Sequence, residues 1–225
     1  MPRDESHHAL KVMRVAPPDV VTVTDGRGVV ARCAVARVDG DVLVAEVLER
    51  ETHRRPRPEL VVYQGAAKGA KADEVVEKLA ELGVAEVRVY ESKRSVARWD
   101  EAKVARLNER WAAITRSAAK QSRSPFVTEA VAGLSWTQVV REIAREPLPV
   151  VLWEEASLPL RTALLDGAER IAFVVGPEGG LERSEAEELA TAGAQLVSLG
   201  PRILRTENAA LVTAAAVLYR YGVIG

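Results

Sequence analysis

The stretch that decides the fold of this 225-residue chain is IAFVVGPEGGLERSEAEELATAGAQLVSLGPRILRTENAAL, residues 171–211. Its first five residues are apolar and end at Gly-Pro, which is typical of a strand buried on both faces of a parallel sheet. A second short apolar run, 196–199, also ends in a glycine loop. Ligands bind in parallel α/β sheets where strand carboxyl ends open into loops. The loops Gly176–Gly180 and Leu199–Thr206 therefore predict a binding site.

The two helices of that stretch carry their own start and stop signals. Ser184 with Glu187 predicts a capping box, and Gly193 predicts the left-handed cap that ends this helix. Thr206 is the predicted N-cap of a last helix that runs to about Tyr221. Because its residues AALVTAAAVL (209–218) offer almost no polar face, we expect this helix to be buried all round, partly by a second copy of the chain.

Standard nucleotide motifs do not explain the glycine loops. GPEGG lacks the Lys-Ser/Thr of a P-loop and the spacing of a dinucleotide fingerprint. On glycine content alone, two ordinary turns are the simpler interpretation.

Upstream of this stretch, residues 60–165 alternate between strand and helix patterns. Alternation of this kind predicts an α/β fold with a mainly parallel sheet covered by helices on both faces. The predicted elements are strands at 60–63, 86–90 and 149–153, and helices at 71–82, about 101–121, 135–145 and 159–165.

The first fifty residues read as a separate β domain. Three valine-rich runs, 20–24, 29–38 and 41–47, are separated by Asp25-Gly26 and Asp39-Gly40, which are strong hairpin signals. A polar segment with two prolines and three arginines, residues 51–59, has the composition of a linker. We therefore predict a small antiparallel sheet or barrel at 1–50 and a larger domain at 60–225.

Composition excludes several classes of protein. The single cysteine, Cys33, excludes an internal disulfide framework, and three scattered histidines give no zinc spacing. We therefore expect no metal site and, by default, a reducing cytoplasm. No apolar run reaches the length of a membrane span. A net charge of −1 argues against nonspecific nucleic-acid binding, yet residues 88–123 hold ten Lys or Arg against four acids. The segment is either a solvated helix face or a phosphate-binding surface.

GPEGGL followed by LGPRILRTENAAL resembles the paired C-terminal motifs of the RsmE family of ribosomal RNA methyltransferases, members of the knotted SPOUT superfamily. The similarity extends through KADEVVEKLAELGV (71–84) to HHALKVMR (7–14), which is nearly the whole chain. The resemblance implies a knotted parallel sheet with helices on both faces, preceded by a small PUA-like RNA-binding β domain. Since His7 arrives earlier than in the family, we expect either that this β domain lacks its first strand or that the start codon is placed late.

The same resemblance implies a cofactor and partners. S-adenosylmethionine would be held in a bent form, chiefly by backbone groups of three loops, with Gly200 where the backbone passes closely. The partners would be 16S rRNA, within the small ribosomal subunit, and a second copy of the chain. The implied cofactor residues are Leu152, Trp153, Glu154, Val175, Gly176, Pro177, Gly180, Leu199, Gly200, Ile203, Leu204, Arg205 and Thr206. The implied RNA contacts are His8, Arg14, Arg94, Arg98, Arg106 and Arg110.

The implied reaction is methylation of N3 of a uridine in 16S rRNA, for which Arg205 and Glu207 are the candidate catalytic residues. A guanidinium at Arg205, beside a helix N-terminus, would stabilise the anion formed when N3 loses its proton. Glu207 would accept that proton, or would only stabilise the helix dipole. Two alternatives stay open: ribose 2′-O methylation, and a noncatalytic RNA-binding or ribosome-assembly protein with the same fold.

Overall fold

The computed structural model describes residues 2–95 and 99–225, without the side chains of Asp4 and His8. The chain divides into two compact units, Met1–Arg55 and Pro56–Gly225. The predicted linker, 51–59, is too long at both ends. One strand continues to Thr52, and the next begins at Glu59.

The first unit is a three-stranded antiparallel sheet preceded by helical turns. Its strands are ordered β1-β2-β3, as the hairpin signals predict. A small core of Ala9, Val35 and Leu43 lies under the helical turns. The elements are helix α1 (Arg3–His7), a π-helical turn (His8–Val12), β1 (Val20–Thr24), β2 (Val29–Asp39) and β3 (Val42–Thr52).

Local chemistry explains the two hairpins. In the first, Asp25 Oδ1 accepts hydrogen bonds from the N–H groups of Arg27 and Val29, at 2.7 and 3.0 Å. In the second, Gly40 takes a positive φ of 59°, which glycine adopts at little cost.

The second unit is a six-stranded sheet, all parallel, in the order β6-β5-β4-β8-β7-β9. The strands are β4 (Glu59–Gly65), β5 (Glu86–Tyr90), β6 (Glu129–Leu134), β7 (Pro149–Leu152), β8 (Arg170–Val175) and β9 (Gln195–Val197). The helices are α2 (Lys71–Glu81), α3 (Glu101–Gln121), α4 (Trp136–Ile143), α5 (Leu160–Ala163), α6 (Arg183–Thr191) and α7 (Thr206–Arg220).

Helices cover both faces of this sheet, which confirms the predicted α/β fold. Side chains alternate along each strand, so Leu60 and Val62 pack on the face that holds α2, α3, α5 and α7. Val61 and Tyr63 pack on the opposite face against α4 and α6. The central strands are buried on both sides, which is why they read as continuous apolar runs.

Strand β6 was not predicted from the sequence. Half of its residues EAVAGL are alanine or glycine and only one is β-branched, and Gly133 has a φ of 83°. The register with β5 shifts between Arg88 and Tyr90 as well. The strand is specified by packing against α3 and β5 rather than by local propensity.

Two predicted helix caps are wrong by one or two residues. Helix α6 begins at Arg183, and its capping box joins Glu182 and Glu185 instead of Ser184 and Glu187. Arg205 is the N-cap of α7, and Thr206 is its first helical residue. The predicted end of α6 is correct, since Gly193 has a positive φ of 103°.

Helix α7 is buried on one face within the chain, and the predicted burial of its other face requires a second copy of the chain. The face containing Ala210, Ala214 and Val217 is fully buried. On the opposite face Val212 and Tyr219 are 46% and 71% exposed. The chain alone therefore leaves one apolar face of α7 uncovered.

Helix α7 packs near the middle of the sheet, far from the strand that precedes it. It follows β9, which is the edge strand, yet it packs on α2 and against β4 and β8 near the middle of the sheet. The segment before α7 must therefore cross the carboxyl ends of the neighbouring strands, as a knotted C-terminus requires.

Candidate active site

Three loops that the sequence singles out lie side by side. Strands β7, β8 and β9 are neighbours in the sheet, and each ends at the same edge. The Trp153 N–H donates to the Val197 carbonyl at 3.0 Å, and the Ser198 N–H donates to the Leu158 carbonyl at 2.8 Å. The structure therefore brings together the predicted segments 152–154, 175–180 and 199–206 at one edge of the sheet.

The closest backbone approach in this region involves Gly65, not Gly200. A Cβ on Gly65 would lie 2.3 Å from Pro177 N and 2.8 Å from the Gly176 carbonyl carbon. A Cβ on Gly200 would meet nothing within 4 Å, although its φ of 110° disfavours other residues. Within the chain, the closest passage is therefore at Gly65, where the end of β4 packs on the 176–177 peptide, and Gly200 stays a predicted cofactor contact.

A buried hydrogen-bond chain joins three elements at this edge. Thr206 Oγ1 donates to the Gly176 carbonyl and accepts from Gln64 Nε2 at 2.7 Å. Gln64 Nε2 also donates to the Gly65 carbonyl at 3.1 Å. Gln64 is 1% exposed, and its Oε1 has no partner among the described residues. These hydrogen bonds fix the first turn of α7 to the ends of β4 and β8.

Glu207, in the first turn of α7, is held beside a lysine. Its side chain is 16% exposed, and its Oε1 lies 3.5 Å from Lys71 Nζ. The same ammonium lies 3.8 Å from Glu178 Oε1, and that oxygen accepts a hydrogen bond from the Lys68 N–H at 3.0 Å. The other oxygen of Glu207, Oε2, is buried without a partner in the part of the chain that the structure describes. A positive charge and two carboxylates thus meet at this edge.

Arg205 lies where the sequence predicts a free cation. It is exposed at the N-cap of α7, and within residues 2–95 and 99–225 its guanidinium makes no ion pair. The guanidinium can therefore donate to a ligand oxygen without first breaking a bond inside the chain.

The turn after β5 packs against the glycine loop. Arg94 Nη1 donates to the Gly179 carbonyl at 3.2 Å, and the Lys93 N–H donates to Glu185 Oε1 at 2.9 Å. A Cβ on Gly179 would lie 3.1 Å from Arg94 Cβ, a tight contact that would require a small shift of Arg94. Arg94, predicted as an RNA contact, therefore borders the loop predicted to hold the cofactor.

Tyr90 lies below this edge and is completely buried. Its hydroxyl donates to the Val175 carbonyl at 3.0 Å, at the point where β8 enters the glycine loop. Burial raises the pKa of Tyr90, and the nearby Glu185 adds to the effect. Tyr90 therefore serves as a neutral donor that holds the end of β8.

Acidic residues outside the basic segment neutralise part of its charge. Arg110 forms an ion pair with Asp73 at 2.7 Å, and Arg88 is paired with Glu86. Arg106 is exposed on α3 and has no ion pair within the described residues. Arg94 is also engaged, by the Gly179 carbonyl and by Glu182 at 4.0 Å, so Arg106 is the most available of the described predicted contacts in this segment.

The other predicted RNA contacts are only partly described. Arg98 lies outside the described residues, and for His8 only the backbone, in the π-helical turn, is described. Arg14 is exposed in the first unit with a φ of 57°, an unusual backbone conformation for arginine.

Gln64, Lys71 and Glu178 were not predicted as site residues. Each had a signal: Gln64 ends the apolar strand LVVYQG, Lys71 follows the glycine loop after that strand, and Glu178 lies within GPEGG. A polar residue at the carboxyl end of a buried strand is the kind of position where α/β sites are built.

Among the described residues, no helix is both long and apolar enough to cross a membrane. Across the same residues, no group of three or more His, Cys, Asp or Glu is arranged to hold a metal ion.

Known protein families match both units. A model described as an RNA methyltransferase domain matches residues 53–218, and one described as an RNA methyltransferase PUA domain matches residues 2–48. These ranges agree with the two compact units of the structure.

Named relatives match over almost the whole chain. Ribosomal RNA small subunit methyltransferase E from Mycobacterium bovis is 36% identical over 95% of this chain and 83% of the relative. The protein of that name from Bacillus subtilis is 31% identical over 96% of this chain and 88% of its own length. A crystal structure of the Neisseria gonorrhoeae protein of the same name, bound to S-adenosyl methionine, is 28% identical. It superposes with a TM-score of 0.86 over 98% of this chain and 90% of that one.

The family models, the whole-length relatives and the arrangement of three loops at one sheet edge agree with one another. The chain belongs to the RNA methyltransferase family whose curated members are named ribosomal RNA small subunit methyltransferase E.

Proposed function

We propose that this protein transfers a methyl group from S-adenosylmethionine to N3 of a uridine in 16S ribosomal RNA. The observation that carries the proposal is the meeting of three loops with an exposed guanidinium, Arg205, and a partly buried carboxylate, Glu207. Uracil N3 is a weak acid, so its methylation needs both a proton acceptor and a cation that stabilises the resulting anion.

The residues at the sheet edge fit the proposed cofactor. Main-chain N–H groups of Leu199, Ile203 and Leu204 make no hydrogen bond within the described chain, so they are free to bind a nucleoside. Gly176 folds so tightly that a Cβ there would lie 2.9 Å from the Gly180 carbonyl carbon. We assign cofactor binding to the three loops 152–154, 175–180 and 199–206. When bound, S-adenosylmethionine supplies an electrophilic methyl group on a sulfonium.

Arg205 is assigned the stabilisation of the uracil anion. It lies at the N-cap of α7, where the helix dipole adds positive potential. Its planar fork of donors suits the ring oxygens that carry the developing charge. Replacing Arg205 with Lys keeps the charge and loses the fork, so turnover should fall more than cofactor affinity.

Glu207 is assigned the acceptance of the N3 proton, directly or through water. Glu207→Gln keeps the shape and removes the basicity. Turnover should then fall by about two orders of magnitude or more, with a changed pH profile, if the carboxylate is the base. A loss of stability alone would assign Glu207 to the helix dipole instead.

We propose RNA contacts in each of the two units, taken separately. His8 and Arg14 lie in the unit that matches the PUA domain, while Arg94, Arg98, Arg106 and Arg110 belong to the basic segment of the larger unit. The partners are 16S rRNA within the small ribosomal subunit, and the proposed location is the cytoplasm. We propose no metal requirement, because the positive charges needed come from side chains.

We further propose that the protein acts as a homodimer through α7. Val212 and Tyr219 are exposed on one face of this helix, and an apolar helical face of this kind is stabilised by burial. Light scattering on wild type and Val212→Glu tests the proposal. Wild type should be dimeric and the variant largely monomeric; a fully active monomeric wild type would contradict it.

The reaction is tested with small ribosomal subunits from a strain that lacks this gene. Purified protein and methyl-labelled S-adenosylmethionine should introduce one label, located at N3 of a uridine by mass spectrometry. A label on a ribose oxygen would support the 2′-O alternative. Tight RNA binding without any label would support a noncatalytic assembly protein.

A further inference from the structure

The turn that follows β5, residues 92–95, is a compact and largely buried support beside the candidate site. The Ser92 N–H donates to Ser95 Oγ at 2.9 Å, and the Ser95 N–H donates to the Ser92 carbonyl at 3.2 Å. These two serines are 2% and 6% exposed. The hydrogen bonds between its first and last residues hold the turn in one shape.

This turn packs on the glycine loop and on the helix that follows the loop. The Lys93 N–H donates to Glu185 Oε1 at 2.9 Å, and Glu185, in α6, is 1% exposed. Arg94 Nη1 donates to the Gly179 carbonyl at 3.2 Å. A Cβ on Gly179 would lie 3.1 Å from Arg94 Cβ and 3.2 Å from the Arg94 carbonyl oxygen. The position of the glycine loop therefore depends on that of the turn.

The guanidinium of Arg94 holds the loop with only part of its hydrogen-bonding capacity. Its side chain is 48% exposed, and a guanidinium has five N–H donors, of which one is used on Gly179. Arg94 Nε lies 4.0 Å from Glu182 Oε1, which is too long for a hydrogen bond. The other oxygen of Glu182 lies 3.4 Å from Lys93 Nζ, which offsets the charge of this carboxylate. Within the described residues, Arg94 thus has donors left for a phosphate, which a guanidinium can bind through two of them at once.

We propose that Arg94 is a positioning residue that couples RNA binding to cofactor binding, because it holds an RNA phosphate and the glycine loop at the same time. The inference rests on the proposed function, in which Arg94 contacts 16S rRNA and the loop 175–180 binds S-adenosylmethionine. A phosphate on the remaining donors fixes the guanidinium, and the guanidinium then fixes the Gly179 carbonyl. Arg94 itself touches neither the methyl group nor the uracil.

The expected sign of the coupling follows from conformational entropy. RNA binding restricts the glycine loop before the cofactor arrives, so the cofactor loses less freedom of the loop when it binds. The cofactor should therefore bind more tightly to the complex with RNA than to the protein alone. By linkage, the cofactor should strengthen RNA binding by the same factor.

The test measures how small ribosomal subunits change the affinity for S-adenosylhomocysteine, which has no methyl group to donate. Equilibrium dialysis with the labelled compound is done without subunits and with saturating subunits from a strain that lacks this gene. For wild type, the subunits should tighten binding by about fivefold or more. For Arg94→Gln, at a subunit concentration that saturates the variant, the ratio of the two affinities should be close to one.

Two further variants separate the coupling from RNA affinity. Arg94→Lys keeps a cation for the phosphate but loses the planar fork that serves two partners at once, so it should bind subunits nearly as wild type does and still lose the coupling. Arg106→Gln is the matched control, because Arg106 lies on α3 and has no ion pair within the described residues. It should weaken RNA binding and keep the wild-type ratio of cofactor affinities.

A purely structural role of Arg94 gives a different result. Loss of a support for the loop would weaken S-adenosylhomocysteine binding equally with and without subunits, so Arg94→Gln and Arg94→Lys would keep the wild-type ratio. That result, or a ratio of one for an actively methylating wild type, would overturn the inference and leave the proposed function intact. If wild type neither binds nor methylates the small subunit, the proposed function fails, and the inference fails with it.

Discussion

The side-chain amide of Gln64 donates a 2.7 Å hydrogen bond to Thr206 Oγ1, across 142 residues of sequence. Thr206 Oγ1 in turn donates a hydrogen bond to the Gly176 carbonyl, so one threonine joins β4, the glycine loop and α7. All of these atoms are buried or nearly so, where a lost hydrogen bond leaves its partners unsatisfied. The relative positions of the proposed cofactor loops therefore depend on this pair.

A matched pair of substitutions in α7 tests that dependence. Thr206→Val removes two buried hydrogen bonds and should lower the free energy of unfolding by about 1–3 kcal/mol, with weaker cofactor binding. Thr213→Val is the control, because Thr213 Oγ1 is buried without a partner in the described chain. It should cost little or stabilise the protein. Equal losses in urea unfolding for both variants would show that the Gln64–Thr206 contact has no special weight.

Gly65 should tolerate no side chain. A Cβ there would lie 2.3 Å from a backbone nitrogen that cannot move without displacing the glycine loop. Gly65→Ala should therefore abolish S-adenosylmethionine binding in calorimetry, or unfold the protein. Gly200→Ala meets no atom within 4 Å and suffers only backbone strain, about 1–3 kcal/mol. Wild-type affinity in a folded Gly65→Ala protein would contradict the close approach.

An ion-pair network at the amino-terminal ends of the strands holds β4, β5 and β8 together. Arg170 bonds to Glu146 at 2.8 Å and to Glu86 at 2.9 Å, and lies 3.6 Å from Glu59. Burial raises the pKa of Glu86, but hydrogen bonds from Arg88 and Arg170 outweigh it, so the net pKa lies below its ordinary value of 4.5. This stabilisation is complete above the unfolded-state pKa and is lost as pH falls through the folded-state pKa.

Arg170→Met should therefore lower stability and change its pH dependence. Glu146 loses the arginine that pairs with it, while Glu86 and Glu59 each lose one of two, which should cost about 3 kcal/mol at neutral pH. The decline of stability on acidification should become shallower, since Glu86 then loses less on protonation. Arg57→Met is the control, because its pairs with Glu59 and Glu169 are half exposed and worth under about 1 kcal/mol. Equal effects in urea unfolding across pH would refute the network's role.

The basic segment makes a prediction about salt. If Arg106 contacts a phosphate, Arg106→Gln should lower the slope of log affinity against log salt by roughly one. Arg110→Gln should instead cost mainly stability, because Arg110 is paired with Asp73. Filter binding to 16S rRNA at several salt concentrations measures the slopes. Identical slopes for wild type and Arg106→Gln would assign Arg106 to a solvated helix face.

The sequence predicts those features that local patterns determine. Two of the three loops could be predicted because apolar runs end in glycine at 176 and 200, and parallel strands end at one edge. The third, 152–154, was implied only by the family resemblance. Strand β6 could not be predicted, since EAVAGL has little β propensity and forms only against its neighbours. Similarly, the charge excess of 88–123 gave no sign that Asp73 and Glu86, outside the segment, neutralise two of its arginines.

Contacts between residues that are far apart in the sequence could not be predicted from it either. Gln64 and Lys71 lie far along the chain from Thr206 and Glu207, and no spacing rule links them. The cap of α7 was misplaced for a related reason. Thr206 is a good N-cap residue by type, but its hydroxyl is engaged by Gln64 and Gly176 instead.

Mass spectrometry of 16S rRNA from a strain that lacks this gene tests the central claim most directly. The account predicts that one uridine loses a methyl group at N3 in that strain. Wild-type protein should restore this methyl group, whereas Arg205→Ala, expressed at the same level, should not. Unchanged methylation in the deletion strain, a methyl group lost from a ribose, or full restoration by Arg205→Ala would contradict the account.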